Sequence, residues 1–402
     1  MKKGWQTKKL GDLCEVFADG DWVESKDQSS DGIRLIQTGN VGNGVFKERV
    51  EKSRYVSDAT FKQLRCTEIF EGDCLISRLP DPVGRSCILP ETGERMITAV
   101  DCTIVRFDQK QLLPKFFNLY TQSDDYLSTV AKECTGTTRS RISRSNLALT
   151  PIPVPPLSEQ QRIVRILDEA FDGLASATAN AEQNLCNARG LFESHLQSVF
   201  TQRGEGWVDK RLGDVCKLYQ GLAINQKTKH LLVSKSRLPL LRIKDLRDNT
   251  EEQYVSEKGF PPNALVNEDD ILYTRTGNSL GLVFTGRRGV LHNNSFKIAP
   301  DLSLRKDYLF WWLQTPTLKE RIFSLASKAA QPDITHVMFK NQPISVPPLK
   351  VQKVIIDQVV SLSFNVEKLE KIYRQKLAAL GELKKSLLHQ AFNGGLTKDN
   401  GQ

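Results

Sequence analysis

Residues 151–160 read Pro-Ile-Pro-Val-Pro-Pro-Leu-Ser-Glu-Gln, and residues 343–352 read Pro-Ile-Ser-Val-Pro-Pro-Leu-Lys-Val-Gln. The two stretches begin 192 residues apart. A second repeated motif lies at the start of each half of the chain, where residues 5–14 and 207–216 share the pattern Trp-x-x-x-x-Leu-Gly-Asp-x-Cys. Solenoid proteins have repeats of about 20–50 residues. The longer period here therefore predicts a duplicated module of domain size.

The duplication divides the 402-residue chain into four segments. We predict two globular modules, module 1 over residues 1–150 and module 2 over residues 204–342. Each is followed by a helical segment, over residues 151–203 and 343–402. A chain of this length is expected to hold two to three domains, which agrees with the repeat. Two related modules suggest two copies of one kind of binding task, and their divergence suggests two different targets.

A long helical pattern without proline follows each proline-rich stretch. Prolines ahead of a helix favour an extended approach and fix where the helix starts. We predict helices over Leu157–Phe200 and Leu349–Phe392, with Ser158 as the N-cap of the first. At ~1.5 Å per residue each helix would be roughly 65 Å long. Paired helices of that length would hold two modules a fixed distance apart.

Apolar residues recur along both helical patterns in alternating steps of four and three. This heptad pattern predicts a coiled coil. One seam is bulky and the other is rich in alanine, so we expect the two helices to pair with each other within the chain, as an antiparallel coiled coil. The alternative is that each helix packs on its own module. The residues predicted to pair are Leu167, Ala170, Leu174, Ala177 and Ala181 in the first helix and Val359, Leu362, Val366, Leu369 and Leu380 in the second, with Asn184 and Lys376 as polar positions that fix register.

Both modules are predicted to be mixed and rich in strands, so the expected fold class is α+β, with two similar α/β modules related by a pseudo-two-fold repeat and separated by the long helices. Aromatic residues of the predicted helices are expected to belong to the core. The predicted strands are Ile33–Val41 and Gly72–Arg78, echoed by Leu240–Leu246 and Asp269–Arg275, and the predicted helices are Pro114–Val130 and Lys306–Leu325.

Composition and charge narrow the class of protein. The chain is 39% hydrophobic and has a net charge of +9, and this excess of cations favours a polyanionic partner such as nucleic acid. No apolar run approaches the roughly 20 residues that span a bilayer, and no secretory signal is recognisable, so we expect a cytoplasmic protein without a membrane partner. The eight cysteines form no Cys-x-x-Cys pair, which argues against a metal site and favours reduced, mostly buried thiols.

Polar loops at equivalent places in the two modules are the candidate binding surface. Arg78 and Arg275 each stand where a predicted strand runs into a loop, and residues 135–146 hold three arginines that the counterpart loop lacks. Arginine suits guanine edges and phosphates, whereas asparagine and glutamine suit adenine edges. The alternative is that these residues only keep the loops soluble. The candidate DNA-contacting residues are Gln37, Asn40, Arg78, Arg85, Arg139, Arg141, Arg144, Arg242, Lys244, Arg275, Asn278, Arg287 and Arg288.

The duplicated proline-rich stretches, the long helices behind them and the paired Trp-x-x-x-x-Leu-Gly-Asp-x-Cys starts resemble the specificity subunit of a Type I restriction-modification system. The ending Leu388-His389-Gln390-Ala391-Phe392-Asn393-Gly394-Gly395-Leu396 is also typical of that family. The resemblance covers the whole chain. It implies that each module is a target recognition domain that reads one half of a bipartite, asymmetric sequence in double-stranded DNA.

The same resemblance implies a set of partners. The helices would form the spacer and the docking surface for two modification subunits, which bind S-adenosylmethionine and methylate adenine at N6. Restriction subunits, which use ATP and Mg²⁺ for translocation and cleavage, could join the complex. In this chain itself the resemblance implies no cofactor and no metal.

No catalytic constellation is recognisable in the sequence. A DNA adenine methyltransferase needs Asp or Asn before Pro-Pro and an aromatic residue after it, and the three Pro-Pro pairs follow Val154, Phe260 and Val346 instead. Neither a G-x-G-x-x-G loop nor a Walker-type loop is present. We therefore predict a non-catalytic DNA-recognition subunit. The alternatives are a coiled-coil scaffold whose modules bind proteins, and a methyltransferase with an unrecognised site.

Overall fold

The computed structural model describes residues 4–136, 140–326 and 332–397. The chain forms two compact units. Unit 1 comprises Met1–Ala181 and Gln375–Gln402, and unit 2 comprises Glu182–Arg374. Each unit therefore contains one globular module together with part of each long helix. Within the described ranges, none of the helices combines the length and the apolar character needed to cross a bilayer.

Module 1 and the proline-rich strand that follows it contain nine short strands and four short α-helices within their described residues. The strands are β1 (Gln6–Lys9), β2 (Cys14–Asp19), β3 (Ile33–Ile36), β4 (Tyr55–Val56), β5 (Cys74–Ser77), β6 (Ser86–Ile88), β7 (Met96–Thr98), β8 (Cys102–Phe107) and β9 (Pro151–Val154). The helices are α1 (Asp58–Leu64), α2 (Pro114–Tyr120), α3 (Asp124–Lys132) and α4 (Arg144–Ala148), and the first long helix α5 (Leu157–Thr201) follows.

Module 2 and the second long helix follow the same plan. The strands are β10 (Val208–Arg211), β11 (Cys216–Gln220), β12 (Leu232–Val233), β13 (Leu240–Leu241), β14 (Tyr254–Val255), β15 (Leu265–Val266), β16 (Ile271–Thr274), β17 (Val283–Thr285), β18 (Gly289–Leu291), β19 (Ser295–Pro300) and β20 (Pro343–Val346). The helices are α6 (Leu212–Val215), α7 (Ile243–Asp248), α8 (Lys306–Trp312), α9 (Pro316–Ala326), α10 (His336–Lys340) and the long α11 (Leu349–Phe392).

The larger sheets of the two modules correspond strand for strand, whereas the smaller sheets differ, since the central strand is β3 in the order β4-β3-β7 and β18 in the order β13-β18-β15. An antiparallel sheet has the order β2-β8-β5-β6 in module 1 and β11-β19-β16-β17 in module 2. A second, smaller sheet contains one parallel pair in each module, β3 with β7 and β13 with β18. The strand that opens each module pairs with the proline-rich strand that closes it, so Lys9 lies opposite Pro151 and Arg211 opposite Pro343. The predicted duplication and fold class are thereby confirmed.

The glutamine that ends the first proline-rich stretch explains part of that motif. Gln160 is fully buried. Its Nε2 donates to the carbonyls of Gln111 and Pro155, both at 2.8 Å, and its Oε1 accepts from the backbone N–H of Leu113 at 2.9 Å. A buried amide with all these partners satisfied is stabilising and fixes geometry. Gln160 thus ties the start of α5 to the segment that precedes α2.

Gln352 makes the same bonds in module 2. Its Nε2 donates to the carbonyls of Ser303 and Pro347, both at 2.8 Å, and its Oε1 accepts from the backbone N–H of Arg305 at 2.8 Å. The repeated glutamine is therefore a joint between a module and its long helix. The helix α5 begins at Leu157, so the prediction of Ser158 as its N-cap is wrong. The joint uses the glutamine two residues farther on.

The pairing of α5 with α11 is confirmed within each unit. In unit 2, Leu196, Val199 and Phe200 share a core with Ile355 and Val359. In unit 1, Ile163 and Leu167 of α5 share a core with Leu388, Ala391 and Phe392 of α11. The end of one helix is matched with the start of the other in both cases, which is the antiparallel arrangement. The residue range of α11 equals the predicted one, and α5 is one residue longer than predicted.

The seam departs from the predicted heptad phase along both helices. Leu369, predicted to pair, is 41% exposed, whereas its neighbour Glu370 turns inward and its Oε1 lies 2.9 Å from Nε of Arg189 on α5. Asn184 is likewise exposed, and Leu185 is half-buried in its place. The inward positions of α11 recur every 11 residues, at Val366, Leu377 and Leu388. This spacing corresponds to about 3.67 residues per turn, which is longer than the 3.5 of a heptad repeat, so a count in heptads falls one residue behind.

The remaining predicted pairing residues lie on the inner side of the helices. Those that are buried are Leu167, Ala181, Val359 and Val366, and those that are half-buried are Ala170, Leu174, Ala177, Leu362 and Leu380. The lysine predicted as the polar seam position of α11, Lys376, is exposed, and Leu377 is half-buried instead.

Three predicted elements need correction. The predicted helix Pro114–Val130 is two helices, because Ser123 caps a new start by accepting from the N–H of Tyr126. Its counterpart is divided at the same place, where Pro316 opens α9. The predicted strand Leu240–Leu246 becomes helix after two residues, because the side chain of Asp245 accepts from the N–H of Arg242 and begins α7.

Most thiols are buried, as predicted. All eight cysteines are free, and five of them are buried. Burial raises the pKa of Cys87 and of Cys102 to about 12, so both are neutral thiols at physiological pH. Cys186 on α5 is the exposed exception. The core aromatics Phe116 and Phe117 are fully buried, which confirms their predicted place.

Candidate nucleic-acid interface

One loop occupies the same place in both modules. It joins β5 to β6 over residues 78–85 and β16 to β17 over residues 275–282. Gly84 N–H donates to the carbonyl of Ser77 at 2.8 Å, and Gly281 N–H donates to the carbonyl of Thr274 at 3.0 Å. Equal loop length and equal closing bonds align the ends of the two loops, whereas the tips are built differently, because Gly277–Ser279 forms a 3-10 turn and residues 78–85 form none.

Arg85 holds the module 1 loop from within. Its guanidinium donates to the carbonyls of Val41 (2.7 Å), Leu79 (2.6 Å), Pro82 (3.0 Å) and Thr38 (2.9 Å). The residue is 8% exposed, and burial lowers its pKa. A guanidinium whose donors are used by backbone carbonyls supports the loop rather than presenting a fork to DNA. The sequence-based prediction of Arg85 as a DNA contact is replaced by this supporting role.

Arginines of module 1 converge beside this loop. Arg78 is buried, its Nη2 donates to the carbonyl of Val100 at 2.5 Å, and the same nitrogen lies 3.3 Å from Oδ1 of Asp19. Burial lowers the pKa of Arg78. Arg144 also faces Asp19, at 3.8 Å. Arg78 is therefore the buried member of a cluster of three arginines. Its exposed members, Arg141 and Arg144, come from residues 140–146.

The second exposed member of the cluster is Arg141. Its Nη2 lies 2.8 Å from Oδ1 of Asp101. The backbone brings the groups together, because Arg78 N–H donates to the carbonyl of Asp101 at 2.9 Å and Ile142 N–H donates to that of Arg78 at 3.3 Å. The side chains of Arg141 and Arg144 are 45% and 49% exposed. The third predicted arginine of this loop, Arg139, lies outside the described residues.

Module 2 builds the same frame with other side chains. Arg275 N–H donates to the carbonyl of Asn294 at 2.9 Å, and Ile334 N–H donates to that of Arg275 at 3.1 Å. The Arg275 guanidinium is held by both oxygens of Asp333, at 2.9 and 2.6 Å, and lies 5.3 Å from the ring centre of Phe296. Asp333 occupies the position of Arg141 in module 1, so a half-exposed cation of one module is a carboxylate in the other.

His336 occupies the position of Arg144. Its ring lies 4.5 Å from that of Phe296. Burial lowers its pKa, and the nearby cations of Arg275 and Lys340 add to that effect. His336 is therefore neutral at neutral pH. The cluster of module 2 thus has a single guanidinium, already neutralised by its carboxylate partner.

A second group of predicted residues lies around α7. The strand pairing places Gln37 and Arg242 at equivalent positions, one residue beyond Ile36 and Leu241. Arg242 is engaged by Asp245 and Glu252, each at 2.7 Å, whereas the Gln37 side chain is half-buried.

The other predicted residues near these strand ends have intramolecular partners. Lys244 pairs with Glu252 as well. Asn40 is 8% exposed and bonds the backbone of Gln37 and Lys47, so it shapes a turn. Arg287 donates to Asn249 Oδ1 at 2.7 Å and to the carbonyl of Asp245 at 3.2 Å.

Two predicted residues of module 2 are unengaged. Asn278, at the tip of the loop, and Arg288, before β18, are both exposed. Within the described parts of the chain neither side chain makes a hydrogen bond or an ion pair. Sequence reasoning missed the carboxylates Asp19, Asp101 and Asp333, because nothing local in the sequence indicates a partner that is far away along the chain. The described residues also contain no group of three or more His, Cys, Asp or Glu that could hold a metal ion.

The chain matches the family model for the Type I restriction modification DNA specificity domain twice, over residues 2–184 and 204–375. It is 25% identical over 326 residues to the Type I restriction enzyme EcoKI specificity subunit of Escherichia coli (strain K12), covering 74% of this chain and 68% of that protein. It is 23% identical over 420 residues to the putative type I restriction enzyme MjaX specificity subunit of Methanocaldococcus jannaschii, covering 98% and 94%.

Two solved structures share the fold. A chain from a study of complex assembly and conformational transition of the type I R-M system superposes with a TM-score of 0.81 at 19% identity, covering 98% of this chain and 99% of that one. The HsdS subunit from Thermoanaerobacter tengcongensis superposes with a TM-score of 0.59 at 19% identity, covering 98% of both. Together with the two matched domains, these findings show that the chain belongs to the Type I restriction-modification DNA specificity family, as one of its specificity subunits.

Proposed function

We propose that module 1 and module 2 each read one half of a bipartite, asymmetric sequence in double-stranded DNA. The observation that carries this proposal is one loop frame present twice with exchanged side chains, in a chain with two specificity domains. Phosphate contacts position a protein on DNA, whereas side chains at base edges specify the sequence. A constant frame with different side chains is what two readers of different half-sites require.

The partly exposed cations of module 1 support DNA as the ligand. Arg141 and Arg144 are each oriented by a carboxylate and still half exposed, so their guanidinium groups remain accessible to phosphate or guanine. The net charge of +9 supplies a favourable field for a polyanion. Specific recognition then depends on the side chains at the loop tips, and affinity depends on the cations around them.

The long helices are proposed to fix the half-site spacing and to dock two modification subunits. The helices are 45 and 44 residues long. In unit 2 their surface exposes large apolar side chains, among them Leu191 (61%), Val354 (56%) and Phe364 (68%). Leu191 and Val354 line one open groove together with Leu362, and a cluster of exposed apolar residues favours a protein partner. The modification subunits would bring S-adenosylmethionine and adenine-N6 methylation, and restriction subunits would bring ATP and Mg²⁺.

The test of this function is a map of DNA methylation in cells with and without the gene, with the modification subunit expressed in both. A split adenine-methylation motif that disappears with the gene is the expected result. If no motif disappears although the partners are expressed and active, the chain is instead a scaffold for protein partners. DNA binding by the complex should also weaken steeply with salt, because counterions are released on binding.

The spacer role has its own test. One heptad inserted at matched places in α5 and α11 lengthens both helices by about 10 Å, at 1.5 Å per residue. The expected result is a methylation motif with the same two half-sites and a longer gap between them. A motif with an unchanged gap would contradict the spacer role and leave the recognition role untouched.

A further inference from the structure

The tip of the repeated loop has a free polar side chain in both modules. Counted from the equivalent residues Ser77 and Thr274, the tip is Asp81 in module 1 and Asn278 in module 2. Both residues are exposed. In the described parts of the chain neither side chain has a hydrogen bond or an ion pair. The arginines of the same two loops, Arg78, Arg85 and Arg275, all have intramolecular partners.

The backbone under the tip of module 1 is fixed. Arg85 donates to the carbonyls of Leu79 and Pro82, which stand on either side of the tip. Ser77 Oγ donates to the same Leu79 carbonyl at 3.1 Å, and Tyr126 Oη donates to that of Gly84 at 3.1 Å. A buried guanidinium is costly to place, and here it serves to hold the loop in one conformation.

Module 2 fixes its tip by other means. Thr274 Oγ1 donates to the carbonyls of Ser279 and of Leu282, the latter at 3.2 Å. Leu280 N–H donates to the carbonyl of Gly277 at 3.0 Å, which closes a turn around Asn278. Two different sets of bonds thus achieve one result, a rigid loop whose tip side chain is left free. Rigid support of an unsatisfied polar group is what a recognition site requires.

The two tip side chains differ in hydrogen-bonding capacity. An ionised carboxylate only accepts hydrogen bonds, and in the major groove it suits the N4 amino group of cytosine. An asparagine amide both donates and accepts, and it suits adenine at N6 and N7. The two groups have nearly the same shape, so an exchange between them changes chemistry without changing size.

We infer that the loop tip reads one base edge in each half-site, with Asp81 favouring cytosine in one half and Asn278 favouring adenine in the other. This inference rests on the proposed DNA-reading function and names the residues that perform it. Arg85 is then a positioning residue, because it acts on DNA only through the loop. The arginine cluster beside the tip of module 1 would supply affinity, and the tip would supply selectivity.

The test is a methylation map of cells that express the complete complex with Asp81→Asn, Asn278→Asp or the unchanged chain. Asp81→Asn is expected to change one position of one half-site from cytosine to adenine, with a preference altered roughly tenfold or more. Asn278→Asp is expected to make the reverse change in the other half-site only. Glu91→Gln is the matched control, because Glu91 is exposed beyond the opposite end of β6, and it should leave the motif unchanged.

The outcomes separate the inference from the function on which it rests. If the unchanged chain has no motif that depends on the gene, the DNA-reading function fails and the inference fails with it. If the unchanged chain has a motif and both tip variants keep it, only the inference is overturned. If Asp81→Asn abolishes methylation while the complex still copurifies, the methylation motif of Asp81→Ala decides whether the tip reads a base. A motif relaxed at one position supports the tip as a reader, and an unaltered motif overturns it.

Discussion

Module 1 and module 2 place different charges on one backbone frame. Module 1 sets the cations Arg78, Arg141 and Arg144 against the carboxylates Asp19 and Asp101. Module 2 sets Arg275 against Asp333 and has His336, a neutral side chain, in the remaining place. The strand register and the backbone bonds around Arg78 and Arg275 are the same in both. The comparison teaches that the duplicated fold preserves positions while the chemistry at those positions is free to change.

The largest difference between the modules is expected in the stability lost on substitution at the position of Arg85. The equivalent residue in module 2 is Leu282. Arg85→Ala removes the donors of four backbone carbonyls in a buried place, and this should lower the free energy of unfolding of module 1 by about 3 kcal/mol or more. Leu282 is 37% exposed, so Leu282→Ala is the matched control and should cost about 1 kcal/mol. Denaturant unfolding of the two variants measures both values. Equal losses would show that Arg85 does not hold its loop.

The next largest effect is expected at the paired arginines. Arg78→Ala and Arg275→Ala should each weaken recognition of one half-site only, by about 1–3 kcal/mol, because each arginine orders the surface of its own module. Competition binding with DNA altered in one half-site at a time measures the effect. Uniform weakening for all sequences would show that the arginine contacts phosphate instead.

Arg141 and Asp333 occupy equivalent positions but carry opposite charges. Their alanine variants should therefore change the salt dependence of DNA binding in opposite directions. Arg141→Ala removes a half-exposed cation, so the slope of log affinity against log salt should become shallower by about 1. Asp333→Ala removes a carboxylate and frees Arg275, so the slope should become steeper by a similar amount. Binding to unrelated duplex DNA across a salt series shows both. Slopes that move in the same direction would contradict the assigned charges.

The smallest effects are expected from pH. In module 1, burial raises the pKa of Asp21 from its ordinary value of 3.8 to about 6, so the folded state holds this proton more tightly than the unfolded state, and stability falls as pH rises from about 3.8 to about 6 and is level above that. In module 2, burial lowers the pKa of His336, so stability is lost as pH falls below about 6.5, the value expected when unfolded.

Two variants isolate these titrations. Asp21→Asn should be more stable than the unchanged chain above pH 6, and this advantage should shrink as pH falls. His336→Gln should gain on the unchanged chain as pH falls below about 6.5. Thermal unfolding between about pH 4 and 8 compares the two profiles, since the Asp21 effect changes between its ordinary pKa of 3.8 and its folded pKa of about 6. Profiles that run in the same direction would show that the two environments are not opposite.

Some parts of this molecule could be predicted from the sequence because they depend on local or repeated patterns. The starts of α5 and α11 follow from the proline-rich stretches, and the pairing of the helices follows from one bulky and one alanine-rich seam. The seam phase could not be predicted by counting heptads, because a straight helix has a slightly longer period. As a result Leu369 is exposed, and Glu370 faces α5 in its place.

The candidate interface was less predictable, because the role of each side chain depends on partners that are distant in sequence. Arg85 and Arg141 look alike as loop arginines. Arg85 is buried and donates to backbone carbonyls, among them those of Thr38 and Pro82, whereas Arg141 is half exposed beside Asp101. Asp333 gives no local indication that it holds Arg275. Residue type therefore identifies a candidate, and the tertiary partners decide whether it supports the fold or faces solvent.

The most direct test of two modules with different targets is a chain in which residues 206–342 are replaced by residues 4–150, so that module 1 is present twice. Both segments start at the equivalent Gly-Trp pair and end before the proline-rich strand. A methylation map of cells that express this chain with its modification subunit is predicted to show a motif whose two half-sites contain the same bases, namely those of one half of the original motif. Two half-sites that still differ as in the original would contradict the assignment of one half-site to each module.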